Sequence, residues 1–415
     1  MYIRELIDQE FIDFTNTFEN KSIYQTPEYA SVMHNQGFET MTLGLIHNND
    51  VIAASVILVE KVFGFKYAYA PRGFLIDYTD IRILETFTVE LKKYLNKHEI
   101  IAIKVNPPII RSTYNAKTEI KTINPDFDDI LENLKTAGYF HLGYNSFFES
   151  LKPRFEAIMD ISIPYEQLFT NFKRNLRTKI RNAETNGIKI YKTNDSNLEY
   201  LYLQTKAKYP RDLNYFKEIY AFFEKREMVD FYYAKLDTAK YLNEKKALYD
   251  KYEQLSSDID NEIMHQTLKR DKLITTKLEI DKKFHICKKD LIDATKLLNA
   301  NPNGIVLASV LIIKNQDCPY IIMDGYDTRY KKFNTKHLLF WKIMEKYHKQ
   351  GYPCLNLGGM TELGLSDNKF NGLNSFKLGF NPVVTEYIGD FELVTNNALY
   401  FMYRNAKPIR SILKK

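Results

Sequence analysis

The chain has 415 residues, 45% of them hydrophobic, which is enough for two or three ordinary domains with buried cores. Its 58 lysine and arginine residues exceed its 52 aspartate and glutamate residues by a formal charge of +6, a mild bias that excludes a histone-like nucleic-acid binder. No apolar run approaches the roughly 20 residues that span a bilayer, and the first residues lack the apolar core of a signal peptide, so we expect a soluble or peripheral protein of the cytoplasm.

The first part of the chain alternates strand-like and helix-like patterns. After an amphipathic opening, apolar runs flank the cluster Asn48-Asn49-Asp50, which is typical of a hairpin turn. A helical segment, ETFTVELKKYLNKH, and a buried strand, IIAIKVNPP, follow. This order predicts a mixed α/β domain over residues 1–150.

A second α/β unit is predicted from the strand-like segment FEAIMDISI onward. A basic helix, an aromatic-rich segment and the strand VDFYYAKL come next, and after an interruption the strands GIVLASVLIIK and PYIIMDGY lead to the helix KHLLFWKIMEKYHKQG and the strand PCLNLGGM. The two halves share a general order of elements without sequence repetition. We therefore predict a second domain formed by residues 151–237 and 302–415.

The interruption, residues 238–301, has the clearest periodicity in the chain. Apolar residues recur every three or four positions in two of its segments, the first marked by Leu248, Tyr252, Leu255 and Ile259. Heptad spacing without Gly or Pro predicts two long helices, which a polar turn near residues 265–273 folds into an antiparallel coiled-coil hairpin. Such an arm is either an inert spacer or dimerisation element, or a contact surface for a large partner such as tRNA.

The segment FTNFKRNLRTKIRNAETNGIKIYK predicts a basic amphipathic helix that ends at Gly187. Its basic residues share one face, whereas Leu176, Ile180 and Ala183 lie nearer another. A basic face of this kind is either solvated or binds an anion such as an RNA backbone. The candidate RNA contacts are Lys173, Arg174, Arg177 and Arg181.

Several common catalytic motifs are absent from the sequence. It has no GxxxxGK[ST], HExxH or GxSxG motif, and none of its eight histidines falls into a metal-ligand spacing, so we expect no metal site. Cys287, Cys318 and Cys354 form no CxxC pair, and we interpret them as structural thiols of a reducing compartment. Neither half has the Q/RxxGxG/A turn that cradles the diphosphate of CoA. Two acetyltransferase-like halves without that turn indicate an acyl donor other than CoA.

A series of segments occurs in order along nearly the whole chain: YQTPEYASV, YAPRGFLIDY, IAIKVNPP, KPRFEAIMDI, FKRNLRTKIRNAETNGIKI, YPRDLNYFKEIY, KHLLFWKIMEKYHKQG, LNLGGM and FNGLNSFKLGFNPVVTEYIGDF. Together with the helical insertion, this series resembles the Fem family of non-ribosomal peptidyl transferases, which use aminoacyl-tRNA to build the side-chain bridge of peptidoglycan. The resemblance implies an α/β (α+β) fold with tandem acetyltransferase-like (GNAT-type) domains and the helical arm inserted in the second.

The resemblance implies catalytic roles in the last of these segments. In related enzymes its Phe-Lys pair lies in the reaction channel, which would make Phe376 part of the pocket wall and Lys377 the cation at the acyl-transfer centre. A fixed ammonium there would stabilise the oxyanion of the tetrahedral intermediate. The preceding Gly358 and Gly359 would let the backbone come close to the substrate.

Further positions are implied to contact the cell-wall precursor. Arg211 and Tyr215, in YPRDLNYF, match precursor-binding positions and would bind a carboxylate or diphosphate and form a phenol hydrogen bond. Arg72 and Gly73, in APRGF, belong to a motif that is either structural or ligand-binding. Asn106 stands where relatives often carry Asp, so this substrate-binding candidate lacks a carboxylate and we expect substrate-assisted proton transfer.

Five other residues bear on the implied site. Near the N-terminus, relatives tend to have Trp followed four residues later by a phosphate-binding Lys, whereas this chain has Tyr29 and Met33, so we expect the phosphate contact to be missing or supplied by His34. Asp324 and Asp327 are the alternative candidates for a protein base.

The sequence and the resemblance together predict an aminoacyltransferase that moves Gly, Ala or Ser from aminoacyl-tRNA to the stem peptide of lipid II or UDP-MurNAc-pentapeptide. No metal or organic cofactor is expected, because aminoacyl-tRNA is the co-substrate. A lipid-linked acceptor would bring the protein to the inner membrane face, where the basic C-terminal segment RNAKPIRSILKK is a candidate contact. A homodimer or a complex with other bridge-forming transferases stays open. The alternatives are an acyl-CoA-dependent N-acyltransferase and a non-catalytic RNA-binding or scaffold protein.

Overall fold

The structure is a computed structural model that describes residues 1–18, 21–208, 211–265, 270–314 and 317–405. Within these residues the chain forms two β-sheets, each packed against helices, and a pair of long helices inserted between two strands of the second sheet. The predicted mixed α/β fold is confirmed.

Sixteen strands and thirteen α-helices are described. The strands are β1 (Tyr2–Glu5), β2 (Glu39–His47), β3 (Asp50–Val62), β4 (Phe65–Ala70), β5 (Ile100–Val105), β6 (Ile110–Asn115), β7 (Ile120–Ile123), β8 (Phe140–His141), β9 (Phe155–Asp160), β10 (Ile188–Thr193), β11 (Val229–Leu236), β12 (Ile305–Ile313), β13 (Tyr320–Tyr326), β14 (Cys354–Met360), β15 (Val383–Tyr387) and β16 (Phe391–Val394). The helices are α1 (Asp8–Thr17), α2 (Pro27–Asn35), α3 (Ile81–Lys97), α4 (Phe127–Thr136), α5 (Tyr165–Thr170), α6 (Arg174–Thr185), α7 (Leu198–Thr205), α8 (Leu213–Glu224), α9 (Thr238–His265), α10 (Arg270–Ala300), α11 (Thr335–Lys349), α12 (Asn371–Leu378) and α13 (Asn397–Asn405).

The first sheet has seven strands in the order β1-β2-β3-β4-β5-β16-β8. The predicted turn between β2 and β3 is confirmed, and Asn48 and Asn49 have the positive φ angles that such a hairpin turn requires. Helix α3 covers the sheet with one apolar face because its buried residues recur every three or four positions, and the carboxylate of Asp80 caps its N-terminus. The buried residues of this face include Leu84, Phe87, Leu91 and Leu95.

The second sheet has nine strands in the order β10-β11-β12-β13-β14-β9-β15-β6-β7. Helices α6 and α11 pack together on one face, where the largest hydrophobic cluster lies. On the other face, α7 and α8 pack against the sheet, and α8 also contacts α2 of the first unit. Residues of both units therefore share one continuous apolar cluster, which holds the two sheets together.

The two sheets exchange strands across the predicted domain limits. Strands β6 and β7, which lie before residue 150, extend the second sheet, while β16, near the end of the described chain, joins β5 of the first. The domain limits 1–150, 151–237 and 302–415 stay a prediction. Each of the two sheets contains strands from before and from after residue 150.

Helices α9 and α10 form the predicted helical hairpin between β11 and β12. Ion pairs between the two helices show their relative direction. Lys245 of α9 lies 3.4 Å from Asp290 of α10, and Lys277 of α10 lies 2.6 Å from Asp260 of α9. Early residues of α9 thus meet late residues of α10, and the helices are antiparallel.

The ends of the hairpin are close to the predicted insertion limits of 238 and 301. At its base, the hydroxyl of Thr238 donates a hydrogen bond to the carbonyl oxygen of Asn301 at 2.7 Å. Part of the predicted turn at the tip, residues 266–269, lies outside the described residues, but residues 270–273, also predicted as turn, belong to α10, which begins at Arg270. The segment after residue 405 also lies outside them, so its predicted membrane contact stays a prediction.

Two further findings concern expectations from composition. In the described part of the chain, we find no helix that combines the length and the apolar character needed to cross a bilayer. Cys318 and Cys354, interpreted from the sequence as structural thiols of a reducing compartment, instead form a disulfide with Cα atoms 5.1 Å apart. The two cysteines are 36 residues apart in sequence, and only the parallel pairing of β13 with β14 brings them together. Cys287 is a free thiol.

Candidate active site

Lys377 is a buried lysine in the last turn of α12. Only 3% of the residue is exposed, and its Nζ atom donates a hydrogen bond to the carbonyl oxygen of Gly359 at 2.7 Å. Burial lowers the pKa of Lys377 to about 7, the carboxylate of Asp324 opposes this shift, and Lys336 adds to it. The side chain therefore changes its charge near neutral pH, where an ordinary lysine stays protonated.

The glycine pair of β14 shapes the backbone around this lysine. Gly358 has a φ of +83°, and a Cβ there would lie 3.2 Å from the carbonyl oxygen of Ile321 and 3.5 Å from Nζ of Lys377. A Cβ at Gly359 would lie 2.8 Å from Pro153. Both glycines thus contact neighbouring protein atoms closely, and their approach to a substrate stays a prediction.

Phe376 forms part of the wall of a cavity of about 560 Å³ between α6, the N-terminus of α11 and α12. Its ring centroid lies 4.9 Å from that of His337 and 5.0 Å from that of Phe340, and the Nζ atom of Lys336 lies 4.3 Å from its centre. Lys377 is not among the described residues that line this cavity. The predicted Phe-Lys pair therefore consists of one wall residue and one buried cation in the same helical turn.

The wall of this cavity is strongly basic. Lys336 is paired with Asp324, whereas the other wall lysines have no carboxylate within 4 Å in the described part of the chain. Burial, with Lys179 adding to it, lowers the pKa of His337 to about 4, so that its imidazole is neutral. The cavity can therefore attract an anion of a large ligand. Its lysines are Lys173, Lys179, Lys208, Lys331 and Lys336.

Helix α11 adds to this positive potential because it begins at the cavity. The preceding residue, Asn334, has a φ of +53° and gives the helix no side-chain cap. Thr335 lies on the cavity wall beside Asn334, and its buried hydroxyl has no hydrogen-bond partner among the described residues. The uncapped N–H groups of a helix N-terminus favour anions.

The predicted basic helix is confirmed as α6, which spans Arg174–Thr185 and is followed by Gly187 with a φ of +81°. Lys173 lies just before the helix, where its N–H group donates a hydrogen bond to the carbonyl oxygen of Gly379. This position places Lys173 on the cavity wall next to α12.

The three predicted arginines of α6 lie away from the described cavity wall. Arg174 is exposed, and the guanidinium of Arg181 lies 5.4 Å from the centre of the Phe169 ring. Arg177 is half-buried, and its buried Nε atom has no hydrogen-bond partner among the described residues. Their predicted contact with RNA stays a prediction, separate from the cavity.

Arg72 is buried at the junction of the two sheets. Its guanidinium donates hydrogen bonds to Glu156 at 2.7 Å, to Asn106 at 2.9 Å and to the carbonyl oxygen of Pro153 at 2.8 Å. It also lies 3.8 Å from the centre of the Tyr387 ring. In each of these contacts the Arg72 guanidinium binds a group of the protein itself and thereby connects the two units. This arrangement fits the structural one of the two roles predicted for the APRGF motif.

Asn106 and Glu156 extend the junction in two directions. The amide of Asn106 donates a hydrogen bond to Asp390 at 2.6 Å, and that carboxylate also pairs with a lysine of β5. Glu156 accepts a hydrogen bond from Asn356 at 2.7 Å, and the amide oxygen of Asn356 accepts one from the N–H group of Gly358 at 2.8 Å. A continuous chain of hydrogen bonds therefore links Arg72 to the backbone beside Lys377.

Burial alone would raise the pKa of Glu156, but Arg72 and hydrogen bonds from its neighbours hold that pKa below its usual value. Gly73, next to Arg72, is required by packing, since a Cβ there would lie 2.8 Å from the Ser55 hydroxyl and 3.0 Å from the Gln25 amide. The substrate-binding roles predicted for Gly73 and Asn106 stay predictions, and both residues are engaged by protein.

Arg211 and Tyr215 lie at the start of α8, on the side of the second sheet that faces α2. The Arg211 guanidinium lies 4.6 Å from the centre of the Tyr215 ring. Burial raises the pKa of Tyr29, Tyr215 adds to this shift, and Arg211 opposes it. Met33 is in the core and His34 is exposed, so the expected alternative phosphate contact at His34 lies outside this group.

Most residues of the basic cavity and its surroundings were not predicted from the sequence. The segment KKFNTKH, residues 331–337, was a usable signal, because two lysines directly precede a helix and its first turn carries a third lysine and a histidine. Glu156 was another signal, as a carboxylate within the apolar strand FEAIMDISI. Of the two predicted base candidates, Asp324 is paired with Lys336 and Asp327 with Arg329.

Comparison with known proteins places the whole chain in one family. The profile of the FemAB family matches residues 6–408. The chain belongs to the FemAB family. The resemblance found in the sequence is thereby confirmed.

FemAB relatives match this chain at low identity but full length. A protein named lipid II:glycine glycyltransferase, from Staphylococcus haemolyticus, is 26% identical over 418 residues and covers 97% of this chain and 95% of its own. Aminoacyltransferase FemB of Staphylococcus epidermidis is 26% identical over 100% of both chains, and aminoacyltransferase FemA of Staphylococcus aureus is 23% identical over 99% of both. The prediction that this FemAB protein is an aminoacyltransferase is confirmed.

A solved structure supports the fold. The crystal structure of FemX superposes with a TM-score of 0.73 at 20% sequence identity, over 97% of this chain and 99% of FemX. At that identity the match establishes the shared FemAB fold and no more.

Proposed function

We propose that the protein transfers Gly, Ala or Ser from aminoacyl-tRNA to the stem-peptide amine of a peptidoglycan precursor and thereby builds the interpeptide bridge. The observation that carries this proposal is the basic cavity, whose wall residue Phe376 adjoins the buried cation Lys377. The names of FemAB relatives, a lipid II:glycine glycyltransferase and the aminoacyltransferases FemA and FemB, support the same reaction class.

The cavity suits the aminoacylated end of a tRNA. This end carries several phosphates, unpaired bases and one ester, and the unpaired wall lysines, such as Lys173, Lys179 and Lys331, offer charge to the phosphates. The rings of Phe376 and His337 offer surfaces on which a base can stack. The amino acid ester would then lie near α12.

In the proposed reaction, the neutral amine of the stem peptide attacks the carbonyl carbon of the ester. A tetrahedral intermediate with an oxyanion forms, and the ammonium form of Lys377 stabilises it electrostatically. The bond to the ribose oxygen then breaks, an amide remains on the stem peptide, and the proton lost by the amine goes to the leaving ribose oxygen. This route uses the substrate for proton transfer, in keeping with the amide rather than a carboxylate at Asn106.

We further propose lipid II or UDP-MurNAc-pentapeptide as the acceptor and no metal or organic cofactor. A lipid-linked acceptor would bring the protein to the cytoplasmic face of the membrane, where anionic lipids attract a mildly basic chain. Contact of the helical arm with tRNA, a homodimer and complexes with other bridge-forming transferases are further options that the proposed reaction permits.

The experiment is a donor and acceptor screen. Radiolabelled Gly, Ala and Ser, each esterified to its tRNA, are incubated with the protein and either lipid II or UDP-MurNAc-pentapeptide, and labelled acceptor is measured. We expect product from at least one pair. Acetyl-CoA is tested in parallel. Transfer from acetyl-CoA with none from any aminoacyl-tRNA would instead establish the acyl-CoA alternative, and RNA binding without any transfer would establish the scaffold alternative.

A further inference from the structure

Asp324 is a half-buried carboxylate close to both the basic cavity and Lys377. Its side chain, on β13, is 19% exposed and forms an ion pair with Lys336, whose side chain is 14% exposed. The Nζ atom of Lys336 lies 4.3 Å from the centre of the Phe376 ring, and Lys377 is the next residue of the same helix. The ion pair therefore lies beside the turn of α12 that carries Lys377.

The strands next to α12 support the same placement. A Cβ at Gly358 of β14 would lie 3.5 Å from Nζ of Lys377 and 3.2 Å from the carbonyl oxygen of Ile321 on β13. Asp324 follows Ile321 by three residues on that strand. The Nζ atom of Lys377 thus lies where β13 and β14 come together, on the strand that carries Asp324.

Two carboxylates act on Lys377, and they differ in how firmly they are bound. Glu156 of β9 accepts hydrogen bonds from Arg72 at 2.7 Å and from the amide of Asn356 at 2.7 Å. In the described part of the chain, Asp324 forms its ion pair with Lys336 alone. Since Lys336 also lies on the cavity wall, a ligand in the cavity can change the partner of Asp324 but not that of Glu156.

The charges around Lys377 oppose one another. Burial lowers its pKa to about 7, Asp324 opposes this shift, Lys336 adds to it, and Glu156 opposes it. The imidazole of His337, on the cavity wall, is neutral because its pKa is lowered to about 4. The charge of Lys377 at neutral pH therefore depends on how closely Lys336 is held beside it.

An anion in the cavity competes with Asp324 for Lys336. A phosphate oxygen and a carboxylate oxygen both accept charge-assisted hydrogen bonds from an ammonium group. If Lys336 turns to a phosphate, its repulsion of Lys377 weakens while the attraction by Asp324 remains. Both effects favour the ammonium form of Lys377.

We propose that Asp324 is a positioning residue through which an anion in the basic cavity sets the charge of Lys377. This inference rests on the proposed function for the identity of the anion, a phosphodiester at the aminoacylated end of tRNA. When this end binds, Lys336 leaves Asp324 for the phosphate, and Nζ of Lys377 takes up one proton from solvent. The ammonium that stabilises the oxyanion is then completed by the arrival of the donor.

The first test measures the titration of Lys377 without any transfer. In protein labelled with ¹³C at the lysine Cε atoms, the NMR signal that is missing from Lys377→Met belongs to Lys377, and its chemical shift follows the protonation of the amine. We expect Asp324→Asn to move the midpoint about one pH unit below that of the wild type, and Lys336→Met to move it above. Asp324→Glu, which keeps the charge, should lie closer to the wild type than Asp324→Asn. Unchanged midpoints, or shifts of Asp324→Asn and Lys336→Met in the same direction, would overturn the proposal.

Two variants control for the loss of a charge elsewhere in the second unit. Glu166→Gln removes an exposed carboxylate on α5, and Lys332→Met removes an exposed lysine just before α11. In both, Lys377 should titrate as in the wild type. Thermal unfolding of every variant confirms that it is folded.

The second test adds the trinucleotide CCA, which has the sequence of the 3′ end of tRNA. At saturating CCA, we expect the midpoint of Lys377 to rise in the wild type. It should rise less in Asp324→Asn, where Lys336 is no longer held in place, and in Lys336→Met. Equal rises in all three proteins would contradict the coupling. If CCA does not bind, the proposed position of the donor fails, and the same titration with inorganic phosphate decides whether an anion acts on Lys377.

The third test uses transfer. With aminoacyl-tRNA as the varied substrate, kcat/KM reports the free enzyme and kcat the loaded enzyme. We expect log kcat to level off at a higher pH than log(kcat/KM) in the wild type, because the bound donor favours the charged form of Lys377. Profiles that level off at the same pH would contradict the proposal. If the wild type transfers nothing, the proposed function fails, while the NMR titrations still decide whether Asp324 and Lys336 set the charge of Lys377.

Discussion

The Nζ atom of Lys377 lies 2.7 Å from the carbonyl oxygen of Gly359, and this hydrogen bond fixes a cationic group next to the bulged end of β14. A carbonyl oxygen holds a lysine in place without neutralising it as a carboxylate would. Burial then leaves the pKa of Lys377 at about 7. Such a lysine stays in position, and an oxyanion that forms beside it favours its protonated form.

The first prediction concerns the pH dependence of transfer. The free amine of the acceptor increases with pH up to its own pKa of about 10.4, while the ammonium form of Lys377 is lost above about pH 7. We therefore expect log(kcat/KM) to rise with unit slope below about pH 7 and to level off above it. In Lys377→Arg, which stays charged, any residual activity should keep rising through pH 8 and 9. A wild-type profile without a break near pH 7 would contradict the assignment.

The second prediction concerns Gly358. Replacement by Ala strains a backbone with a φ of +83° and adds a Cβ near the carbonyl oxygen of Ile321 and Nζ of Lys377. We expect Gly358→Ala to lower the free energy of unfolding by about 1–3 kcal/mol and to lower kcat. Urea denaturation measures the first effect. The control is Gly372→Ala, where a Cβ meets open space in helix α12, and its stability should be equal or slightly higher.

The third prediction concerns the basic cavity. Lys179→Ala and Lys331→Ala each remove an unpaired charge from its wall, and we expect weaker binding of aminoacyl-tRNA with kcat nearly unchanged. The slope of log Kd against log salt should fall by about 0.7–0.9 for each phosphate that is no longer neutralised by a lysine. Lys97→Ala, an exposed position on α3 in the first unit, is the control. Unchanged salt slopes in both cavity variants would place the tRNA elsewhere.

The fourth prediction concerns the buried pair of Arg72 and Glu156. Glu156→Gln leaves the guanidinium of Arg72 without its counter-charge, and we expect a loss of about 3–5 kcal/mol in the free energy of unfolding at pH 7. The folded pKa of Glu156 is depressed, so its stabilisation is present above the usual carboxyl pKa and is lost as the pH falls through the folded value. The difference from wild type should therefore shrink below about pH 4.

The control for this prediction is Glu85→Gln, an exposed carboxylate on α3. Its free energy of unfolding should differ from that of the wild type by less than about 0.5 kcal/mol at either pH. A Glu156→Gln difference that stays constant from pH 7 to pH 3 would show that the loss does not come from the ion pair.

Local patterns were enough to predict several elements. The repeat of Leu248, Tyr252 and Leu255 predicted the helical arm, and the alternation of basic and apolar residues before Gly187 predicted α6. Such patterns depend on neighbours within one or two turns, so the sequence displays them directly.

Contacts between distant segments were beyond such reasoning. The hydrogen-bond partners of Arg72 lie up to 84 residues away, and Cys318 and Cys354 meet only in the folded chain. The exchange of β6 and β16 between sheets has the same cause, since strand order is set by tertiary packing rather than by local periodicity. The cavity lysines come from three segments that are far apart in sequence, around Lys173, Lys208 and Lys331, and only the folded chain brings these segments together.

The most direct measurement of the central claim is the single-turnover rate of aminoacyl transfer by the wild type, Lys377→Met and Lys369→Met, an exposed control before α12. Saturating aminoacyl-tRNA and acceptor remove effects on binding. We predict that Lys377→Met lowers the rate about 10²–10³-fold, the usual loss when one oxyanion stabiliser is removed, while Lys369→Met matches the wild type. A folded Lys377→Met that transfers at the wild-type rate would contradict the account.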